Sequence, residues 1–139
     1  MKKFFCRSLE DTKNAAEYFA NFAKEGQCFL LIGDLGSGKT TFSQFFIKRL
    51  MPTIDYISSP TFTIVQTYED EQREIWHVDC YRLKNEDEFF ELGLSEAIER
   101  CITIIEWPEI IKEFLPENAI EIKFQAHSDG SRDIISNIV

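Results

Sequence analysis

Short apolar runs alternate along the chain with longer stretches in which apolar residues recur at helical spacing, and that alternation predicts an α/β domain. Residues 4–7 form a first short extended run. Ser8, with Asp11 three positions on, has the form of a helix-capping box. Leu9, Ala16, Phe19, Ala20 and Ala23 follow at helical spacing, predicting a helix over 9–25 that Gly26 stops. Cys28–Ile32 is continuous and apolar, as in a strand buried on both faces of a parallel sheet. Phe42, Phe45, Phe46, Ile47 and Leu50 then make a helical face over 41–50 that stops before Pro52.

Residues 61–68 and 74–81 predict two extended segments joined by a polar turn, an antiparallel hairpin. An acidic helix is expected over 85–100, broken at Gly93. Residues 102–105 are apolar and β-branched, a second central strand, followed by Glu106-Trp107-Pro108 and a short helix to Leu115. Alternation over 119–124 and the segment 133–139 predict the last strands. No repeat or linker divides the chain, so residues 1–139 read as one P-loop NTPase domain, with a mixed, mostly parallel central sheet flanked by helices and an antiparallel hairpin.

Composition narrows the function. A 44% hydrophobic content with thirteen Phe, against six Gly and four Pro, belongs to a packed globule and excludes wholesale disorder. Fifteen basic residues against 24 acidic ones give a formal charge of −9, which opposes direct attachment to nucleic acid or anionic lipid. Any RNA partner is therefore expected to be reached indirectly. No stretch approaches eighteen apolar residues and residues 1–11 are too charged for a signal peptide, so a cytoplasmic protein without a membrane role is expected. Cys6, Cys28, Cys80 and Cys101 lack paired C-x-x-C spacing and read as reduced, structural thiols.

The chemistry concentrates at Gly33-Asp34-Leu35-Gly36-Ser37-Gly38-Lys39-Thr40, which fits G-x-x-x-x-G-K-[ST] between a buried strand and an amphipathic helix. In such a turn, which Thr41 extends into the helix, backbone N–H groups converge on phosphate oxygens and the helix adds its positive dipole end. Lys39 is expected to reach the β- and γ-phosphates of ATP, and Thr40 to give its hydroxyl to Mg²⁺. Glu106, closing the apolar run 102–105, stands where P-loop folds place a second carboxylate toward the metal or water. Asp79 shares a predicted strand face with His77 and Tyr81, a pattern that fits either a ligand-facing or a solvated face. Arg82 points away from that face, and His127 falls in a loop. Ser58-Ser59-Pro60-Thr61 follows the loop's helix, where P-loop switches sense the γ-phosphate. The acids between Glu86 and Glu99 read as a solvated helix face.

Together these motifs resemble the TsaE family, also called YjeE, small bacterial P-loop ATPases of the pathway that makes threonylcarbamoyladenosine in tRNA. The matching pieces are residues 33–42, Ser59-Pro60-Thr61-Phe62-Thr63, His77-x-Asp79-x-Tyr81-Arg82-Leu83, Glu91-Leu92-Gly93 and Glu106-Trp107-Pro108-Glu109. The resemblance covers most of the chain. It implies ATP with Mg²⁺, weak hydrolysis alone, and a working complex with TsaB and TsaD that the protein resets between turnovers. Lys39 and Thr40 match the family's phosphate and metal positions, Glu106 its Walker B-like acid, Thr61 and Asp79 its switch and catalytic-support positions, and Trp107 its neighbouring tryptophan. Ser37, where the family often has Ala, and Cys80, in a variable slot, depart from the pattern without removing a donor.

Two other readings use the same loop. In a small-molecule kinase, Asp79 would accept the proton of an acceptor hydroxyl while an arginine such as Arg82 steadied the transferred group. In a nucleotide-binding scaffold, ATP would be held without hydrolysis, which Glu106 argues against. No N-K-x-D guanine motif appears.

Overall fold

The computed structural model describes residues 1–60 and 64–138. Seven strands form one sheet: β1 (Lys2–Cys6), β2 (Cys28–Ile32), β3 (Val65–Glu69), β4 (Glu74–Asp79), β5 (Ile102–Glu106), β6 (Ile120–Ala126) and β7 (Arg132–Ser136), in the spatial order β1-β7-β6-β2-β5-β4-β3. The inner four, β6, β2, β5 and β4, run parallel, and both edges are antiparallel: β3 pairs with β4, and β1 with β7, which pairs with β6. The sheet is thus mixed and mostly parallel in its middle, as the sequence predicts.

Helices α1 (Leu9–Ala20) and α2 (Lys39–Leu50) cover one face, and α3 (Glu86–Glu91), α4 (Leu94–Arg100) and a 3₁₀ helix (Pro108–Phe114) the other. The period of two in β2 explains why it is apolar throughout: Phe29 and Leu31 join the core under α1 and α2, while Cys28 and Leu30 face α4 and the 3₁₀ helix. Phenylalanine dominates the first core. Phe42 meets Phe19, Phe46 and Phe124 with ring centroids 5.3–6.4 Å apart, and Phe29 lies 4.9 Å from Phe46. Edge-to-face pairs such as Phe29–Phe46 and Phe42–Phe124 add about 0.5–1.5 kcal/mol each to the burial of the rings. This packing locks α2, whose first residues carry the loop chemistry, against β2.

Several element ends differ from the sequence expectations. Helix α1 stops at Ala20, five residues short of position 25, because Phe22 and Ala23 donate to carbonyls three residues back and tighten the chain into a turn. Ser8 Oγ caps α1 by accepting from the Asp11 N–H, and Asp11 accepts in turn from the Arg7 N–H, one residue earlier than a standard box. The hairpin is shorter than predicted at both ends. Its first strand starts at Val65, after Ile64 at φ +68°, and its second ends at Asp79, whose Oδ1 accepts from the Tyr81 N–H and turns the chain. The last strand begins at Arg132 and ends at Ser136. The acidic helix breaks at Gly93, at φ +81°, as expected, and its acids are mostly exposed.

Candidate functional site

The turn between β2 and α2 is shaped by what its glycines permit. A Cβ at Gly33 would stand 2.8 Å from both the Phe124 carbonyl oxygen and Ser37 Oγ, so the backbone can pass there only without a side chain. Gly38, just before α2, has φ +103°, outside the range open to L-residues without strain. Lys39 folds back over the turn: its ammonium donates to the Gly33 carbonyl and, at 3.4 Å, to that of Asp34, and lies 3.7 Å from the Trp107 ring centroid. Burial lowers the Lys39 pKa, while the charges of Glu106, Asp79, Glu109 and Asp34 oppose that fall. Trp107, at φ +56°, thus packs against the Lys39 ammonium.

Glu106, at the end of β5 and 2% exposed, faces the first turn of α2. The Thr40 hydroxyl donates to its carboxylate, 3.1 Å from Oε1 and 3.3 Å from Oε2, and His77 Nε2 lies 2.7 Å from Oε2. Asp79 is the register partner of Glu106 across β4 and β5 and is 7% exposed. Burial pushes its pKa up and the Glu106 charge adds to the rise, against the lowering by the Tyr81 N–H.

Burial of His77 and Asp79 excludes the solvated reading of their shared face. His77 and Asp79 share a face, but His77 is fully buried, on the side of the sheet that α1 and α2 cover, rather than solvated. Tyr81 lies beyond the strand, 57% exposed, with its ring 4.9 Å from that of Trp107.

A cleft of about 410 Å³ opens over this ground, with Lys39, Thr40, Thr41, Asp79, Glu106 and Trp107 in its lining, together with Leu35, Gly36 and Gly38 of the loop. Asp34 and Ser37 belong to the same turn, where Ser37 N donates to the Asp34 carbonyl. Arg82 lines the cleft too, although the sequence pattern turned it away, because the strand ends three residues before it. Arg132 was missed. It reaches back from β7 to donate from Nη1 to the Ser37 carbonyl at 3.2 Å, a contact across 95 positions that no local pattern signals. His77 stood in a quoted motif, but its contact with Glu106 had no sequence signal beyond period-two spacing. Thr61 lies outside the described residues, and of the residues flanking that gap Ile64 N donates to the Pro60 carbonyl. His127, just past β6, has Nε2 3.1 Å from Asp133 Oδ2.

The donor set suits Mg²⁺. Thr40 and Glu106 offer hard oxygen ligands side by side, and among the described residues no group of three or more His, Cys, Asp and Glu is arranged to hold a metal ion. A cation bound here would take most of its ligands from phosphate and water, which is how Mg²⁺ is commonly held. Among the described residues no helix is long and apolar enough to cross a membrane.

A buried central strand running through a G-x-x-x-x-G-K-T turn into a helix, with a carboxylate from the adjacent parallel strand at that helix's first turn, defines a P-loop α/β protein. More narrowly, the chain belongs to the TsaE family, whose model, described as threonylcarbamoyl adenosine biosynthesis protein TsaE, matches residues 6–134. The tRNA threonylcarbamoyladenosine biosynthesis protein TsaE of Rickettsia bellii is 46% identical over 125 residues, covering 90% of this chain and 87% of that protein. The protein of the same name from Bacillus subtilis is 40% identical over 137 residues, covering 96% and 85%. Among solved structures, Bacillus subtilis YdiB superposes with a TM-score of 0.73 at 34% identity, over 96% of this chain and 82% of that one.

Proposed function

We propose that this chain binds Mg·ATP in the cleft at the start of α2, hydrolyses it, and uses the cycle as a switch in the threonylcarbamoyladenosine modification of tRNA, resetting a TsaB–TsaD complex. The observation that carries the reading is the meeting of Thr40 and Glu106, 3.1 Å apart across 66 positions of sequence, beside the buried Lys39. Family membership supports the pathway.

In this reading the N–H groups of residues 33–41 bind the phosphates, and Lys39 leaves the Gly33 carbonyl to meet them. Thr40 and Glu106 would hold Mg²⁺, which supplies charge neutralisation at the phosphates. Asp79 and Glu106 orient the attacking water, two carboxylates that burial holds in a site where hydrogen bonds act strongly. Thr61, in the switch segment, senses the γ-phosphate. The charge of −9 keeps tRNA from binding directly, so RNA enters through the partner complex, in the cytoplasm.

The kinase alternative uses the same cleft and differs in its product. With γ-labelled ATP, this account predicts label in free phosphate, dependent on Mg²⁺ and lost in Thr40→Ala. Label transferred to a small organic acceptor would replace it with the kinase reading, and binding without any release would leave the scaffold.

A further inference from the structure

His77 carries a hydrogen bond that the proposed chemistry has not yet used. It is fully buried in β4, on the sheet face that also holds Ile75 and Ile104, and an aliphatic or aromatic residue there would fill space without desolvating a polar ring. Its Nε2 lies 2.7 Å from Glu106 Oε2, while its Nδ1 is buried with no hydrogen-bond partner among the described residues. A carboxylate can only accept, so Nε2 carries a proton, and of the two neutral tautomers this is the one that leaves the lone pair on Nδ1. That assignment leaves an acceptor unpartnered rather than a buried N–H, the milder of the two costs. The imidazole therefore points one donor at one oxygen of Glu106.

The terminal torsion of a glutamate is broad, so an untethered Glu106 head group would sample many planes. Thr40 alone does not settle the plane, since its hydroxyl lies 3.1 and 3.3 Å from the two oxygens. The bond from His77 breaks that near-symmetry, tying Oε2 into the sheet and leaving Oε1 turned toward Thr40. We infer that His77 is a positioning residue for hydrolysis, its Nε2–H fixing the orientation in which Glu106 meets the reacting groups. The inference rests on the hydrolysis reading and extends it to a residue that touches neither ATP nor water.

The test compares His77→Phe, His77→Gln and His77→Asn with Glu106→Ala and the double variant His77→Phe/Glu106→Ala, reading ATP affinity and single-turnover phosphate release. His77→Phe is expected to lose about 10- to 100-fold in turnover, the usual loss when a group orienting a site's ligand is removed, with ATP affinity little changed. Gln sets an amide N–H near the position of Nε2 and restores most of the rate, whereas Asn sets one near Nδ1 and does not. In the Glu106→Ala background His77→Phe adds no further loss. Full turnover in His77→Phe beside an inactive Glu106→Ala, or equal rates in the Gln and Asn variants, would overturn the role of His77 alone. Wild-type turnover in Glu106→Ala would overturn the hydrolysis reading itself. Independently of activity and of any variant's folding, nitrogen-15 NMR of the wild-type imidazole is expected to show the Nε2–H tautomer, and an Nδ1–H tautomer would refute the inference.

Discussion

Asp79 and Glu106 end adjacent parallel strands in register, so two buried carboxylates stand side by side on the face that α2 covers. Their closeness is costly to the fold, and the rise in the Asp79 pKa, from burial first and the Glu106 charge next, expresses that cost. A folded pKa above the unfolded one means that the stabilisation from Asp79 is fully present below the ordinary Asp value and is lost as pH rises through the folded value. Asp79→Asn, which keeps the oxygen that accepts from the Tyr81 N–H, is therefore expected to raise the Tm at about pH 7.5 and to bring little gain at about pH 4. Thermal melts of both proteins at the two pH values check this. A lower Tm for the variant at the higher pH would mean the carboxylate is stabilised by its surroundings.

Arg132 and Gly38 make a second pair whose fit can be measured. A Cβ on Gly38 would approach Arg132 Nη1 to 1.9 Å, and the backbone there has φ +103°. The guanidinium can swing aside, so the lasting cost of Gly38→Ala is backbone strain of about 1–2 kcal/mol. Denaturant melts are expected to show that loss in both the wild-type and the Arg132→Ala backgrounds. Arg132→Ala alone releases the Ser37 carbonyl, and its expected effect is about a tenfold loss of ATP affinity, the equivalent of ~1.4 kcal/mol, without global unfolding.

Lys39 and Thr40 should separate by their dependence on metal. Lys39→Ala is expected to lose ATP binding with Mg²⁺ or with a chelator present, because in the proposed function its charge meets the phosphates directly. Thr40→Ala should bind ATP like the wild type in chelator and lose the gain that Mg²⁺ gives. Calorimetric titration under the two conditions reads the difference, and equal Mg²⁺ gains in wild type and Thr40→Ala would remove Thr40 from the metal site.

All four cysteines are buried and none is in a disulfide. Burial pushes Cys28 up to about 11 and Cys80 up to about 12, so at pH 8 the thiolate fraction of Cys28 is on the order of 10⁻³. Labelling by a thiol reagent is expected to be slow in the native protein and complete in denaturant. Cys28→Ser, which loses packing and not chemistry, should lower the Tm while leaving phosphate release intact.

Much of this architecture is legible locally. The continuous apolar runs of β2 and β5, the phenylalanine stripe of α2 and the glycine motif between β2 and α2 each carry their own signal, and the sheet order then brings Glu106 to Thr40. What escaped depends on contacts between distant segments. Period-two spacing places His77 and Asp79 on one face, but that the face is buried depends on segments distant in sequence packing over it. At the end of β4 the Tyr81 N–H donates to Asp79 Oδ1 and Leu83 N to the Cys80 carbonyl, turns that extended patterning does not register. Arg132 falls just before the expected last strand, and its reach to Ser37 follows from the antiparallel pairing of β7 with β6 beside β2.

The central claim is that this cleft turns over Mg·ATP in service of its partners, and phosphate release is its most direct measure. Release is to be followed for the purified protein alone and with TsaB plus TsaD, beside Glu106→Ala under the same conditions. The account predicts slow release alone, stimulation by the pair, and loss of both in the variant with ATP affinity retained. Bound ATP that stays intact in every setting, or release that survives Glu106→Ala undiminished, would contradict it.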